Sequence, residues 1–157
     1  MDSGPQLQQD IPELGRICQT IEIPASIGQV WEQLENPGAV ARWWCACDPV
    51  DIEFEPTVGG QYRECYRGEE IQYELTGSVA AFDPYRQFAV KRLTAENFDA
   101  HDTIDFKLLE YSDRTRVVLE HVYPELEEDS GASNEYYSPR WQDSLKQLRD
   151  QTIATSD

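Results

Sequence analysis

The sequence predicts an α+β domain in which a curved antiparallel sheet of about seven strands packs around one long C-terminal helix, with two short helices after the first strand. Two observations favour this class. Apolar and polar residues alternate with a period of two over most of residues 50–123, as in half-buried strands. Near the C-terminus the apolar residues instead recur with a helical period. Short turns separate the strands, which favours an antiparallel meander.

The N-terminal quarter should contain one strand and two short helices. Residues 1–14 are polar and contain two prolines, which predicts a flexible arm, and a single domain is expected over residues 15–157. Isoleucines alternate with polar residues from Arg16 to Ile23, a strand pattern. Ser26 is placed to cap a helix that should end at Asn36-Pro37-Gly38. The second helix should carry Val40, Trp43 and Trp44.

Six more strands should follow, each bounded by turn-forming residues. They are expected at residues 51–55, 61–67, 71–82, 86–93, 101–111 and 114–123. The pair Gly59-Gly60 falls between two of them, where glycine can adopt the positive φ of a tight hairpin turn. These two glycines are therefore interpreted as structural.

The last helix is predicted at residues 138–153. Its apolar stripe consists of Trp141, Leu145, Leu148 and Thr152, followed by Ile153, and the opposite face is charged. Ser138 suits an N-cap and Pro139 suits the first helical position, where its missing N–H costs nothing. A single apolar stripe must be buried, and the sheet is the available surface.

Charge and cysteine content exclude several functions. The net charge is −17, from 30 acidic and 13 basic residues, which argues against nucleic acid and anionic membranes as partners. No membrane-spanning run or signal peptide is recognisable, so a cytoplasmic protein with reduced thiols is expected. Lysines are few among the basic residues, which suits either a salt-rich cytoplasm or simply a very soluble protein.

The cysteines and histidines do not predict a metal site. Cys45 and Cys47 are separated by one residue, whereas zinc ligands usually have wider spacing, and His101 and His121 lie far away in the sequence. Neither a metal nor another cofactor is expected.

Three polar residues interrupt the apolar faces of the predicted strands. The period of two places Glu64, Arg92 and His121 on the side that should face the last helix. One interpretation is that each lies at a strand end and reaches solvent. The other is an interior pocket with a few convergent polar groups, as small-molecule sites often have.

Several motifs resemble a known family. They are IPASIGQVWEQL from Ile23, ARWW at 41–44, FEPTVGGQYRE from Phe54, GSVAAFDP from Gly77 and TRVVLEH from Thr115. In this order they resemble the helix-grip fold of the START-like (SRPBCC) superfamily, in the branch named after the activator of the ninety-kilodalton heat-shock protein ATPase. The likeness spans about residues 16–154. The chain departs from the family pattern at Arg140, where a glycine is frequent, and at Arg92, where an apolar residue is usual.

The resemblance implies a cavity between sheet and helix that binds an apolar or amphipathic small molecule. Glu64, Arg92 and His121 would orient a polar group of the ligand. Arg92, assisted by protonated His121, would favour an anionic ligand end. The apolar walls would come from Trp43, Tyr62, Tyr66, Tyr73, Phe106 and Trp141.

Two other functions remain open at the sequence level. Some helix-grip proteins are cyclases or hydrolases, and His121 with Glu64 would form an acid–base pair if they met at hydrogen-bond distance. No nucleophile motif or phosphate-binding loop accompanies them, so an enzyme is the weaker alternative. A co-chaperone-like role, in which the acidic surface meets a basic protein partner, is the other alternative.

Overall fold

The computed structural model describes residues 13–44, 49–69, 72–95, 100–125 and 132–155. In chain order the elements are β1 (Glu13–Ile23), α1 (Ile27–Glu35), α2 (Pro37–Trp43), β2 (Val50–Phe54), β3 (Gln61–Arg67), β4 (Gln72–Asp83), β5 (Gln87–Ala95), β6 (Ala100–Tyr111), β7 (Arg114–Glu125) and α3 (Ala132–Ala154). Both the kinds of element and their order agree with the sequence prediction.

The seven strands form one antiparallel sheet in the order β1-β7-β6-β5-β4-β3-β2. Strands β2 to β7 make the predicted meander, and β1 returns to pair with β7, so that Ile17 lies opposite His121. The apolar stripe of α3 is buried as predicted except for Ile153, which is exposed, and α3 packs beside β1 and α2. The predicted α+β class and its helix-grip arrangement are therefore confirmed.

Capping explains why α1 and α2 begin where they do. The Ser26 hydroxyl accepts a hydrogen bond from the backbone N–H of Gln29, and the Gln29 side chain accepts one from the backbone N–H of Ser26. The Asn36 side chain accepts from the N–H of Gly38, with Pro37 at the first helical position. The sequence predicted that Trp44 would lie within this helix. Instead, α2 ends at Trp43, and Trp44 forms its C-terminal cap.

The start of the last helix was predicted wrongly. α3 begins at Ala132, so Ser138 is not its N-cap and Pro139 lies inside it. Proline lacks the N–H that would bond to the carbonyl four residues earlier, which weakens this turn. Two side chains bond to other carbonyls of this turn: Gln19 Nε2 donates to the Ser138 carbonyl at 2.9 Å, and Arg140 Nη1 donates to the Tyr136 carbonyl at 2.7 Å.

A glycine lets β4 lie close to β5 beside an inward-facing arginine. Gly77 pairs with Arg92, and a Cβ on Gly77 would lie 1.9 Å from the Lys91 carbonyl oxygen. Any side chain there would push the two strands apart. Among the described residues, the register of β4 with β5 begins at this pair.

Added salt should raise the melting temperature. The net charge of −17 makes the folded chain repel itself, and ions screen exposed charges over about 10 Å at 0.1 M salt. Thermal unfolding followed by circular dichroism from low salt to about 1 M NaCl tests this. A flat or falling curve would show that self-repulsion does not limit stability.

Candidate functional site

The three polar residues predicted to face inward meet in the interior. Glu64 on β3, Arg92 on β5 and His121 on β7 are 0%, 4% and 0% exposed. Asp102 on β6, which is also buried, connects them. The interpretation as solvated strand ends is therefore wrong: the three side chains converge in the interior, whereas the pocket of the other interpretation stays a prediction. We call these four residues the polar cluster.

Arg92 joins the two carboxylates of the polar cluster. Its Nη1 lies 3.0 and 2.9 Å from the two oxygens of Glu64. Its Nε donates to Asp102 Oδ1 at 2.9 Å and its Nη2 to Asp102 Oδ2 at 2.5 Å. The guanidinium is thus held between two carboxylates, the geometry in which charge-assisted hydrogen bonds are strongest.

Two tyrosines complete the surroundings of Glu64. Tyr62 and Tyr66 lie two residues to either side on the same face of β3. Tyr62 donates its hydroxyl to Glu64 Oε2 at 2.6 Å, and Tyr66 donates to Oε1. Burial, together with the Glu64 charge, raises the pKa of both phenols, so they remain protonated donors. In the described structure Arg92, Tyr62 and Tyr66 thus all donate to the two oxygens of Glu64.

The hydrogen bonds of His121 determine its tautomer. The indole N–H of Trp141 can only donate, and it lies 3.1 Å from His121 Nδ1, which must accept. The ring proton is therefore on Nε2, which donates to Asp102 Oδ2 at 2.7 Å. Burial also lowers the pKa of His121, despite the nearby Asp102 carboxylate. Both observations favour a neutral ring, which argues against the expectation that protonated His121 helps to bind an anion.

The polar cluster carries a surplus of negative charge. Burial alone would raise the pKa of Asp102, but the hydrogen bonds and charge of Arg92 outweigh it and lower this pKa to about 2. One guanidinium thus faces two carboxylates. Both carboxylates already bind Arg92, which argues against the expectation that this arginine anchors an anionic ligand end; that expectation stays a prediction.

Asp102 was missed at the sequence level, although a signal was present. It lies two residues before Ile104, at the same phase as Ile104, Phe106 and Leu108, which all face inward. The apolar residues by which the inward face of β6 is recognised begin only at Ile104, so the polar Asp102 was not assigned to that face. The register then places Asp102 directly opposite Arg92.

Aromatic side chains fill the space beside the polar cluster. Trp44 lies at their centre, and the other members are Trp43, Tyr62, Phe106 and Trp141, with ring centroids 5.3–6.3 Å from that of Trp44. We call these five residues the aromatic group. Trp43, Tyr62, Phe106 and Trp141 were predicted as walls of the site, and the structure brings them together.

The indole N–H of Trp44 is a buried donor without a partner. Trp44 is 5% exposed, and its Nε1 makes no hydrogen bond in the described structure. The neighbouring indoles differ: Trp43 donates to the Gln33 carbonyl at 3.1 Å, and Trp141 donates to His121. Buried N–H groups are nearly always paired, so this one indicates a missing acceptor.

Tyr73, which was also predicted as a wall residue, does not belong to the aromatic group. It is 48% exposed and stacks on Tyr66 with ring centroids 4.7 Å apart. Tyr66 itself is buried and bonded to Glu64. The two stacked rings therefore extend from the polar cluster to the surface.

The interior is filled by the chain's own side chains. Trp43, Glu64, Phe106 and His121 have 0% exposure, so no water-sized space adjoins them. A separate open groove of about 870 Å³ lies on the outer face of the sheet, lined mainly by Glu53, Arg63, Ser78, Lys91, Leu93 and His101. None of the predicted interior residues except Tyr62 borders that groove.

The acid–base pair considered at the sequence level does not form. His121 bonds to Asp102 and Trp141 rather than to Glu64, and both its ring nitrogens are occupied. A general base needs a free nitrogen within reach of a substrate proton.

Two further sequence expectations concern metals and membranes. Among the residues that the structure describes, no group of three or more His, Cys, Asp or Glu side chains is placed to hold a metal ion. Cys45 and Cys47 lie outside the described residues. No helix in the described ranges is long and apolar enough to cross a membrane.

Comparison with solved structures shows the same fold in several bacterial proteins. Protein Ms6760 of Mycobacterium smegmatis has a TM-score of 0.70 at 17% identity, over 89% of this chain and 92% of that one. A Rhodobacter sphaeroides protein has a TM-score of 0.73 at 20% identity, over 91% and 99%. The Zhui aromatase/cyclase of Streptomyces sp. R1128 has a TM-score of 0.70 at 17% identity, over 92% and 97%.

Family comparison agrees with the fold. No curated protein sequence matches this chain. The family model described as Activator of Hsp90 ATPase homolog 1-like protein matches residues 24–151, which is most of the chain and includes all members of the polar cluster and the aromatic group. The chain therefore belongs to the family of Activator of Hsp90 ATPase homolog 1-like proteins, within the START-like superfamily.

Proposed function

We propose that this protein binds an apolar or amphipathic small molecule between the sheet and α3. The observation that carries the proposal is the unpartnered indole N–H of Trp44, buried within the aromatic group. A buried donor left unsatisfied costs about 1–3 kcal/mol. An acceptor atom of a ligand would satisfy it.

The polar cluster supports the same proposal. Replacing buried ion pairs by apolar residues of similar volume is often neutral or stabilising, so stability alone does not explain four polar side chains in this core. The cluster also adjoins the aromatic group, because Tyr62 and Trp141 belong to the group and bond to Glu64 and His121. A ligand among the aromatic rings would therefore lie close to the charged groups.

Trp44 is the side chain that a ligand would displace most readily. Hydrogen bonds hold the indoles of Trp43 and Trp141, whereas the Trp44 indole has no hydrogen bond among the described residues and lies just past the end of α2. Rotation of its ring would open a space for about two fused rings and leave its N–H at the edge of that space. Trp44 thus joins Trp43, Tyr62, Phe106 and Trp141 as a wall, with the polar cluster at one end.

The comparisons are in line with a small-molecule role. One protein of the same fold is an aromatase/cyclase, although similarity at 17% identity supports only the fold. The family description, in contrast, refers to a protein partner. The described structure favours the first role, because the unpaired donor lies inside the protein and is out of reach of a protein surface.

Titration with Nile red, a neutral apolar dye with acceptor atoms, tests the proposal. We expect saturable uptake at one site per folded chain. Trp44→Phe keeps a ring but removes the N–H, so affinity should fall about 3- to 10-fold, the equivalent of one hydrogen bond.

Trp31→Phe is the matched control. Trp31 is equally buried but packs against Phe82 and Tyr85, away from the aromatic group, so its replacement should leave the affinity unchanged. Equal losses in the two variants would contradict the proposed site. No saturable uptake by the wild type would contradict the proposed function and favour the protein-interaction alternative.

A further inference from the structure

We infer that the ligand of this site has a cationic, hydrogen-bond-donating end, such as an amine, attached to an aromatic body. The inference rests on the proposed function and adds the chemical class of the ligand. It starts from the charge of the polar cluster, in which Glu64 and Asp102 share the single guanidinium of Arg92.

The hydrogen bonds within the cluster have a uniform direction. Tyr62, Tyr66 and His121 all donate to the two carboxylates, as Arg92 does. Neutral donors spread the surplus negative charge but do not cancel it. A ligand cation beside the cluster would cancel it, whereas a ligand anion would double it in a region without water.

The aromatic surroundings also suit a cation. Aromatic faces attract ammonium groups, and tyrosine and tryptophan do so most effectively. The rings of Tyr62 and Trp141 adjoin the cluster from inside, and those of Tyr66 and Tyr73 connect it to the surface. A cation moving inward along the Tyr66–Tyr73 stack would pass aromatic faces until it reached Glu64.

The unpartnered Trp44 donor is independent of this charge argument and places the ligand body. Its ring centroid is 6.3 Å from that of Tyr62, whose hydroxyl bonds to Glu64. A ligand whose aromatic body contacts Trp44 therefore has its far end within a few ångströms of the carboxylates. One molecule of about two fused rings, with an acceptor atom on the rings for the Trp44 N–H and a short amine arm for the carboxylates, fits both features.

Three ligands with the same methoxynaphthalene body, whose ether oxygen can accept from the Trp44 N–H, test the inference: methoxynaphthylethylamine, methoxynaphthylethanol and methoxynaphthylacetate. Calorimetric titration at about 0.5 M NaCl screens the attraction of cations to the acidic surface but not contacts in the interior. We expect the amine to bind at least about tenfold more tightly than the acetate, with the alcohol between them.

Variants test whether the preference for the amine over the acetate comes from Glu64. Glu64→Gln removes the surplus charge, so the ratio of amine to acetate affinity should fall about tenfold. Glu53→Gln makes the same change on the outer face, where Glu53 pairs with Arg63, and should leave the ratio unchanged. If Glu64→Gln does not fold, Tyr66→Phe replaces it: loss of one donor to Glu64 should maintain or increase the amine preference.

The outcomes separate the two proposals. If the alcohol binds saturably but the acetate binds as tightly as the amine, the cationic class is wrong and the proposed function stands. The cationic class would also be wrong if Glu53→Gln lowered the ratio of amine to acetate affinity as much as Glu64→Gln does. It would likewise be wrong if Tyr66→Phe abolished the preference for the amine. If none of the three ligands binds, the proposed function fails as well.

Discussion

Replacing Arg92 by methionine should lower the free energy of unfolding by about 3–5 kcal/mol, the usual effect of removing one partner of a buried ion pair. Arg92 is the cation that contacts both Glu64 and Asp102, and all three are buried. Methionine fills part of the space but leaves two buried carboxylates without a counter-charge. Urea denaturation at pH 7 measures the loss.

Arg63→Met is the matched control for this prediction. Arg63 also contacts two carboxylates, Glu53 and Glu74, but all three are partly exposed on the outer face of the sheet. Exposed ion pairs contribute little, so the control should lose less than about 1 kcal/mol. Similar losses in Arg92→Met and Arg63→Met would show that the polar cluster is not buried as described.

The pH dependence gives a second test of the same variant. In the wild type the pKa of Asp102 is lowered to about 2. The Asp102 carboxylate therefore stabilises the folded state when the pH is above the ordinary Asp pKa of about 4, and this contribution is lost as the pH falls from about 4 to about 2. Without Arg92, burial should raise the pKa of Asp102, and protonation then relieves the unpaired charge. The stability difference between wild type and Arg92→Met should therefore narrow as pH falls from 7 towards 3. A constant difference would contradict this account.

Trp141→Ala should have a similarly large effect, with a loss of about 3–5 kcal/mol. Trp141 is fully buried and contacts Trp44 and Phe106, so truncation leaves a large cavity. It also removes the donor to His121 Nδ1. For a chain of this size the melting temperature should fall by about 2–4 °C for each kcal/mol.

Trp141→Phe separates packing from hydrogen bonding. Phenylalanine keeps most of the ring contacts but leaves His121 Nδ1 unsatisfied, which should cost about 1–3 kcal/mol. Chemical denaturation of both variants gives the two contributions. A loss below about 1 kcal/mol for Trp141→Ala would mean that the ring is not buried between the sheet and α3.

Alternation in the sequence was enough to predict the sheet and the inward direction of Glu64, Arg92 and His121. It works because a strand with one buried face must place every second side chain in the core. The partners of these residues depend on the register between strands, which alternation leaves open. The direct pairing of Arg92 with Asp102 comes from this register, and it reversed the predicted charge of the site.

The other errors have equally local causes. Tyr73 has the inward phase, but it lies one residue from the start of β4, where its ring stacks on Tyr66 and remains exposed. The start of α3 was placed at Ser138 because Ser-Pro is a common helix start. Gln19 on β1 and Arg140 both bond to carbonyls of the proline turn inside the helix. The bond from Gln19 joins residues far apart in the sequence, so it leaves no local pattern there.

The central claim, that a small molecule binds in the interior beside the polar cluster, is tested most directly by the four tryptophan indole N–H signals in a proton–nitrogen NMR titration. With methoxynaphthylethanol as ligand, the Trp44 signal, assigned with Trp44→Phe, should shift downfield and saturate as its N–H acquires the ether oxygen as an acceptor. The Trp141 signal should also move, because the two rings are in contact, whereas the Trp31 signal at the other end of the core should not. A stationary Trp44 signal, or equal and unsaturated shifts of all four, would contradict interior binding.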